Sequence, residues 1–307
     1  MPGAVLQKAA ARGAAGTRWL SRLGGVVEQL ERDWDVVVGA TVHGGSESYV
    51  ATATTRDGTD VIVKIAIPGN DLSSEADTLR LANGHGYARL LRHDAARQAM
   101  LQERLGASLA ELGLPVTTQI EIICATLRRA WETPASPSLR SGADKARWLA
   151  RFIAATWEEL NKPCDERIIE RALSFAEARR SAFDPDSAVL VHGDAHSHNT
   201  LQDLQRQSTA GAKFKFIDPD GLFAEPAYDL AIPMREWSAA LLEGDAARLG
   251  GERCAFLGHL TGVDAGAIWE WGFVERVSTG LLVMQVGAEQ AGRQMLEVAR
   301  HWVRPPS

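Results

Sequence analysis

A cluster of polar residues follows a short apolar run in the stretch VLVHGDAHSHN, at positions 189–199. Histidine and aspartate at alternating positions can ligate zinc or manganese, as in a metal hydrolase. The same stretch contains the spacing H-x-D-x-x-x-x-N, with His192, Asp194 and Asn199, which is typical of a catalytic loop for phosphoryl transfer. The cluster therefore favours one of two kinds of chemistry, and other parts of the chain must distinguish between them.

The metal-hydrolase hypothesis requires further ligands from distant loops. Asp218 and Asp220 end another apolar run, but no second motif that contains histidine accompanies them. The sequence does not complete a hydrolase site. We expect His192 and His196 to orient backbone and to pack, rather than to bind metal.

Phosphoryl transfer to a hydroxyl requires a base, magnesium ligands, and a lysine for the nucleotide phosphates. Asp194 can accept the proton, and Asn199 and Asp218 offer the hard oxygen ligands that Mg²⁺ prefers. Lys64 ends the apolar run VIVK, and Glu75 on the next predicted helix can pair with it. These groups occur in the order that a kinase requires, so a kinase is the favoured hypothesis.

The elements that must position these residues fall into two halves of different character. In the first half, hydrophobic periodicity predicts helices over 18–32 and 70–83. The β-branched and apolar runs of this half predict strands within 34–45, 46–55, 60–67, 87–94 and 97–105. The second half has helical patterns at 116–133, 142–161, 165–182 and 229–303, and short strands at 188–192 and 214–217.

This division predicts an α+β protein with two lobes. Residues 1–105 form a β-rich N-terminal lobe with a leading helix, which we expect to bind nucleotide. Residues 106–307 form a mostly helical C-terminal lobe with the catalytic loop and the acceptor site.

Two segments of the second half resemble a known family. HGDAHSHNTL followed by FKFIDPDGLFAEPAYDLA resembles the signature of the aminoglycoside phosphotransferases, and is most similar to the streptomycin 6-phosphotransferase and hydroxyurea kinase branch. The resemblance implies a protein-kinase-like fold with ATP and Mg²⁺ as cofactors. It implies that Asp194 is the catalytic base and that Asn199 and Asp218 hold magnesium. It also implies that Lys64 contacts the α- and β-phosphates while Glu75 orients Lys64.

The resemblance extends to the phosphate loop and to the hinge between the lobes. HGGSES at 43–48 corresponds to the loop that covers the phosphates, with Gly44, Gly45 and Ser46 as the contacting residues; a plain hairpin turn is the alternative for this segment. The hinge is the segment LQERLGASL, in which the backbone near Gln102 to Leu105, with Glu103 and Leu105 as the candidate contacts, would hydrogen-bond the adenine edge.

The expected activity is ATP-dependent phosphorylation of a hydroxyl on a streptomycin-like aminoglycoside, which would confer resistance. A kinase for another small molecule, such as a sugar, an amino alcohol or another antibiotic, is the neighbouring alternative. A catalytically silent nucleotide-binding protein is the alternative from another class. The complete set of predicted catalytic residues argues against a silent protein.

The charge distribution favours a cationic acceptor. Residues 1–105 carry 12 Lys+Arg and 12 Asp+Glu, so the net charge of −6 lies entirely within 106–307. Glu236 and Glu270 are candidate acceptor carboxylates, because tryptophans that can wall a sugar pocket adjoin them: Trp237, Trp269 and Trp271. Ordinary solvated helix faces would also explain the charge.

Composition excludes several other classes of protein. A pI near 5.8 without a Lys/Arg cluster argues against nucleic acid as a partner, and charges interrupt every long apolar run, which argues against a membrane. Cys124, Cys164 and Cys254 are odd in number and have no CxxC spacing, which favours a reducing cytoplasm. No feature points to an obligate protein partner.

Overall fold

A computed structural model describes residues 3–42, 48–134, 136, 138–208 and 211–303. The chain divides into two units, each packed mainly against itself. The first comprises Met1–Gly106 and Asp203–Arg206, and the second comprises Ala107–Gln202 and Gln207–Ser307.

The first unit is built on a five-stranded antiparallel sheet in the order β1-β2-β3-β5-β4. Its strands are β1 Val36–Thr41, β2 Ser48–Thr55, β3 Asp60–Ala66, β4 Leu90–Asp94 and β5 Ala99–Glu103. Its helices in the described ranges are α1 Gly3–Ala11, α2 Gly13–Trp34 and α3 Ser73–Ala82. The predicted strands and α3 are confirmed. Helix α1 was not predicted, and α2 begins before the predicted start at residue 18.

The alternation of side chains along β3 explains how this sheet buries both of its faces. Val61, Val63 and Ile65 point into a core shared with Leu23 and Leu30 of α2. A second apolar cluster contains Ala66 of β3, Met100 of β5, and Leu72 and Ala76 at α3. Lys64 lies between Val63 and Ile65, so its side chain leaves β3 on the opposite face from theirs.

Elements after Gly106 are mostly helical. The helices are a 3₁₀ turn at Leu109–Leu112 followed by α4 Val116–Ala130, α5 Gly142–Glu159, α6 Glu166–Ser181, α7 Ala227–Arg235, α8 Ser238–Leu242, α9 Ala246–Thr261, α10 Ala265–Gln285 and α11 Glu289–Trp302. The strands are β6 Arg140–Ser141, β7 Val189–Val191, β8 Thr200–Ser208, β9 Gly211–Phe216 and β10 Leu222–Ala224. They form a small sheet, β6-β10-β7, and a hairpin, β8-β9.

Helix α10 is the centre of the second unit. It is buried on all sides over most of its length, and Trp271, Phe273, Val277 and Leu281 have no exposed surface. A helix that is apolar all round belongs inside a protein. It packs against α5, α6, α7, α9 and α11. Within the described ranges, no helix combines the length and the apolar character needed to cross a bilayer.

Candidate active site

The open end of the β8–β9 hairpin carries the two predicted metal ligands. Asn199 directly precedes β8, and Asp218 follows shortly after β9. Thr200 pairs with Phe216 in the hairpin, and the N–H of Ile217 donates to the carbonyl of Asn199 at 3.0 Å. Strand pairing therefore brings together the two backbone segments that bear the predicted ligands.

The glycine of the HGD motif is required by the approach of the neighbouring loop. Gly193 has a φ of +90°, and a Cβ at this position would lie 2.8 Å from the Cβ of Asp220. The N–H of Gly221 donates to the carbonyl of His192 at 3.2 Å. The two loops that follow β7 and β9 thus approach each other closely, and only glycine fits at position 193 without displacement.

Asp229 of α7 ties the catalytic loop to the helix beneath it. Its carboxylate accepts the backbone N–H groups of His192 at 3.0 Å and Gly193 at 2.8 Å, and the indole N–H of Trp131 at 2.9 Å. The carboxyl group is completely buried, and burial raises its pKa against the opposing effect of the nearby donors. Asp229 therefore holds the backbone of the loop at His192 and Gly193.

His192 connects the catalytic loop to the segment that carries Asp218. Its Nδ1 accepts the N–H of Asp194 at 3.0 Å, so Nε2 bears the ring proton and donates to the carbonyl of Ile217 at 2.9 Å. Both ring nitrogens are therefore used within the protein. This arrangement confirms the expected role in orienting backbone and leaves no lone pair of His192 for zinc.

His196 touches the carboxylate of Asp194, which the sequence did not predict. Its Nδ1 lies 3.3 Å from the N–H nitrogen of Asn199, and its Nε2 lies 3.3 Å from Oδ2 of Asp194. Among the residues that the structure describes, no three His, Cys, Asp or Glu side chains are grouped as metal ligands. Both histidines thus contact the backbone or side chains of the loop itself.

Asp194 is partly buried, and both of its carboxylate oxygens have partners. Oδ1 lies 2.5 Å from Nη2 of Arg235, and Oδ2 faces His196. Burial alone would raise the pKa of Asp194, but the hydrogen bond from His196 and the charge of Arg235 outweigh it and hold the pKa well below its usual range. The carboxylate is therefore ionised, as a base must be.

Arg235 was not predicted from the sequence. An arginine in the last turn of a helix is an ordinary feature, because cations are favourable there. No local signal distinguishes an arginine that contacts a catalytic carboxylate from one that faces solvent.

In the first unit, the predicted pair of Lys64 and Glu75 is present. Nζ of Lys64 lies 2.8 Å and 2.6 Å from the two carboxylate oxygens of Glu75, in the first turn of α3. Both residues are buried, and the amide of Gln102 on β5 also approaches Glu75 at 3.3 Å. The bidentate contact fixes the direction of the lysine side chain.

Two hydrogen bonds join Glu103, in the predicted hinge segment, to Arg89. The N–H of Glu103 donates to the carbonyl of Arg89 at 3.0 Å, and the carboxylate of Glu103 accepts the N–H of Arg89 at 2.8 Å. Leu105 is buried. Gly44, Gly45 and Ser46 lie outside the described residues.

Comparison with known proteins shows the family of the chain. The family model described as aminoglycoside/hydroxyurea antibiotic resistance kinase matches residues 33–287. The chain belongs to this family. It is a small-molecule kinase whose acceptor is a hydroxyl group.

Relatives of this kinase are similar over most of their length. A streptomycin 6-kinase of Streptomyces glaucescens is 27% identical over 283 residues, which cover 91% of this chain and 89% of that one. A hydroxyurea phosphotransferase of Kitasatospora aureofaciens is 28% identical over 264 residues, 84% of this chain and 72% of that one. Among solved structures, an amicoumacin kinase in complex with AMP-PNP and Ca²⁺ has a TM-score of 0.61 and 14% identity, and covers 91% of this chain and 95% of that one. The kinase fold is confirmed.

The residues predicted to meet an acceptor lie in different surroundings in this kinase. Glu236 is partly exposed, and its Oε1 lies 3.5 Å from Nε of Arg235, beside Asp194. Glu270 is paired with Arg179, whose Nε lies 2.6 Å from its Oε2, so its charge is already balanced.

Two of the three tryptophans that could wall a sugar pocket belong to the core instead, as helical spacing of tryptophans favours. Trp269 and Trp271 are buried, and the indole N–H of Trp271 donates to Glu225 at 2.8 Å. They belong to the core because α10, which carries them, is surrounded by other helices. Trp237 is half-buried, with the guanidinium of Arg253 5.5 Å from the centre of its ring.

The donors at the hairpin end fit magnesium. The amide nitrogen of Asn199 donates to the carbonyl of Asp194 at 3.1 Å, which leaves Oδ1 as the ligand atom. Asp218 is exposed and offers a carboxylate. Mg²⁺ is bound through one or two protein oxygens together with substrate phosphates and water, so these two residues suffice.

Proposed function

We propose that this kinase transfers the γ-phosphoryl group of ATP to a hydroxyl of a streptomycin-like aminoglycoside and thereby confers resistance. The observation that carries the proposal is the similarity to streptomycin 6-kinases over nearly the whole chain. The contacts of Asp194 support it, because they keep its carboxylate ionised, and strand pairing brings the backbone of Asn199 close to the segment that bears Asp218. Such an arrangement suits phosphoryl transfer, in which positioning and electrostatics supply most of the catalysis.

In the proposed reaction, Asp194 orients the acceptor hydroxyl and accepts its proton. The acceptor oxygen forms a bond to the γ-phosphorus as the bond to the leaving oxygen of ADP breaks. Asn199 and Asp218 hold magnesium, which when bound neutralises charge on the phosphates.

The first unit supplies the nucleotide contacts in this proposal. Lys64, aimed by Glu75, binds the α- and β-phosphates. Gly44, Gly45 and Ser46 contribute the backbone and hydroxyl of the phosphate loop. The backbone at Glu103 and Leu105 binds the adenine edge.

The proposed acceptor is cationic and carries several hydroxyls. The net charge of −6 within 106–307 favours such a molecule. Glu236 is the candidate carboxylate for its guanidinium or ammonium groups, because it is partly exposed and adjoins the Asp194 cluster. Glu270 is not carried into the proposal, since Arg179 neutralises it.

We place the reaction in the cytoplasm, with a small molecule as its partner and without nucleic acid, membrane or an obligate protein partner. ATP is available there, and the three cysteines are free thiols, as a reducing compartment would keep them.

The test is ATP consumption by the purified protein with Mg²⁺ and a panel of acceptors, with the product identified by mass spectrometry. The panel contains streptomycin, hydroxyurea, neutral sugars and amino alcohols, at low and high salt. We expect streptomycin to give the highest kcat/KM and to bind more weakly as salt rises. Hydroxyurea is the second candidate because of the hydroxyurea phosphotransferase relative. A preference for a neutral sugar, independent of salt, would contradict the proposed acceptor.

A further inference from the structure

Arg235 places its guanidinium between the catalytic loop and two glutamates. Besides its contact with Oδ1 of Asp194, its Nη1 lies 3.2 Å from Oε2 of Glu275 and its Nε lies 3.5 Å from Oε1 of Glu236. The Arg235 side chain is only 12% exposed. One buried cation thus connects the predicted base to α10 and to the turn after α7.

Glu275 is itself fixed in place. Its side chain is 5% exposed, and its Oε1 accepts the hydroxyl of Tyr228 at 2.5 Å. Tyr228 is fully buried on α7. The contact of Arg235 with Glu275 is sufficient to link α7 to α10. The contact with Asp194 is additional, and it reaches the group that acts on the acceptor.

The backbone that carries Arg235 is held by two other arginines, the buried Arg276 and the half-buried Arg253. Arg253 donates to the carbonyl of Glu236 at 2.8 Å and to that of Pro233 at 3.3 Å. Arg276 donates to the carbonyl of Met234 at 2.5 Å. These bonds satisfy carbonyls at the C-terminal end of α7, where cations are favourable. The backbone at the C-terminal end of α7 is therefore held in place, so the side chain of Arg235 extends from a fixed position.

These contacts determine how the carboxylate of Asp194 is rotated. Each carboxylate oxygen can accept two hydrogen bonds. Oδ1 has a short contact with Arg235 at 2.5 Å, whereas Oδ2 has a longer and weaker contact with His196 at 3.3 Å, so Oδ2 is the more available acceptor. We propose that Arg235 is a positioning residue for Asp194, which clamps Oδ1 so that Oδ2 faces the acceptor hydroxyl. The proposal rests on the assignment of Asp194 as the catalytic carboxylate.

The first experiment measures kcat and KM with streptomycin and ATP for Arg235→Gln and Arg235→Lys. A misplaced catalytic group costs up to about 10²-fold in rate, so we expect kcat of Arg235→Gln to fall about 10-fold to 100-fold. KM for ATP should change by less than about twofold, because Arg235 is not among the proposed nucleotide contacts. Arg235→Lys should recover part of the loss. A purely structural residue would not produce this separation of kcat from KM, and an unchanged kcat in Arg235→Gln would overturn the proposal.

The second experiment asks whether Arg235 acts through Asp194. In an Asp194→Asn background, Arg235→Gln should lower the remaining kcat by less than about twofold, because there is no longer a carboxylate to orient. The matched control is Arg179→Gln, which also removes a buried arginine between two glutamates, Glu225 and Glu270. Its effect should be independent of Asp194→Asn. Independent effects of Arg235→Gln and Asp194→Asn would overturn the proposal.

A third measurement needs no acceptor, so it separates this proposal from the proposed function. Urea unfolding of the wild type, Arg235→Gln, Asp194→Asn and the double variant gives the coupling between the two residues. We expect a coupling of about tenfold or more in the folding equilibrium constant, typical of contacting residues in one network. If streptomycin is not phosphorylated, the proposed acceptor fails while this coupling still tests the contact. Absence of coupling would show that Arg235 does not hold Asp194.

Discussion

Each residue that surrounds Asp194 makes its own distinct contacts with the loop. His192 links two loops through its ring, Asp229 binds the loop backbone, and Arg235 and His196 hold the carboxylate oxygens. Because each task depends on particular atoms, substitutions here should separate chemistry from folding.

The first prediction concerns the base. Asp194→Asn retains the size of the side chain but loses the charge and the proton acceptor, so kcat should fall by about 10² to 10⁴. Nucleotide binding, measured by calorimetry, should persist. Asp220→Asn is the matched control: its carboxylate is 51% exposed and 3.4 Å from Nζ of Lys145, so this variant should keep most of its turnover. Near-full turnover of Asp194→Asn would disprove the assignment.

The second prediction concerns Gly193. Gly193→Ala adds both a Cβ at a positive φ and a close approach to Asp220, so we expect a loss of more than about 1 kcal/mol in the free energy of unfolding together with a lower kcat. Gly262→Ala is the matched control, because Gly262 has a φ of +77° but no atom within 4 Å of the added Cβ. Gly262→Ala should lower the free energy of unfolding only by the strain of an alanine at a positive φ. Urea unfolding and turnover assays measure the two effects. Equal effects of Gly193→Ala and Gly262→Ala would show that the close approach to Asp220 is unimportant.

At the level of elements, the pair of Lys64 and Glu75 shows how strand alternation produces a site. Lys64 leaves β3 on the face opposite to Val63 and Ile65, and there it meets the first turn of α3. The buried charges balance each other. Removal of one partner of such a pair typically costs about 3–5 kcal/mol, whereas an apolar replacement of both is often neutral.

The third prediction uses that difference. Lys64→Ala should raise KM for ATP and lower kcat, and Glu75→Gln should do so more mildly because the lysine remains but is less well aimed. Both should lower the free energy of unfolding. The double variant Lys64→Met/Glu75→Leu should regain stability in urea unfolding but not nucleotide use. Recovery of ATP turnover in the double variant would contradict the assigned role.

The sequence predicted those strands that are β-branched or apolar runs bounded by turn signals. β3 contains VIVK flanked by a turn signal, and its strand, its lysine and the following helix with Glu75 were all predicted. β8 was missed because TLQDLQRQS lacks the apolar alternation of a strand, and it is a strand because it pairs with β9. Contacts between distant residues were also missed. Arg235 lies 41 residues from Asp194, and only the packing of α7 under the loop brings them together.

At the level of the whole molecule, burial controls the reactivity of the cysteines. Cys124 on α4 and Cys254 on α9 are buried, and burial raises the pKa of each thiol to about 12. Cys164 is less buried, and burial raises its pKa to about 11. A thiolate is the reactive form, so the folded protein should contain very little of it at neutral pH.

The fourth prediction follows from this burial. An aromatic disulfide reagent at pH 8 should react slowly with all three thiols of the native protein and rapidly after unfolding in urea. The labelling rate of Cys124 and Cys254 should follow the unfolding transition, because exposure requires the helices of the second unit to separate. A variant with Cys164→Ser is the control for the less buried thiol. Rapid labelling of native Cys124 would contradict the packing of α4.

Helix α7 has a consequence for how this enzyme can change over evolutionary time. Asp229 near its start and Arg235 at its end both reach the catalytic loop, so the apparatus for the chemical step depends on one short buried helix. Helix α10 shares part of this constraint through Glu275, which contacts Arg235. New acceptors can therefore be recruited by surface substitutions that leave α7 unaltered, whereas drift within α7 would remove phosphorylation of every acceptor at once.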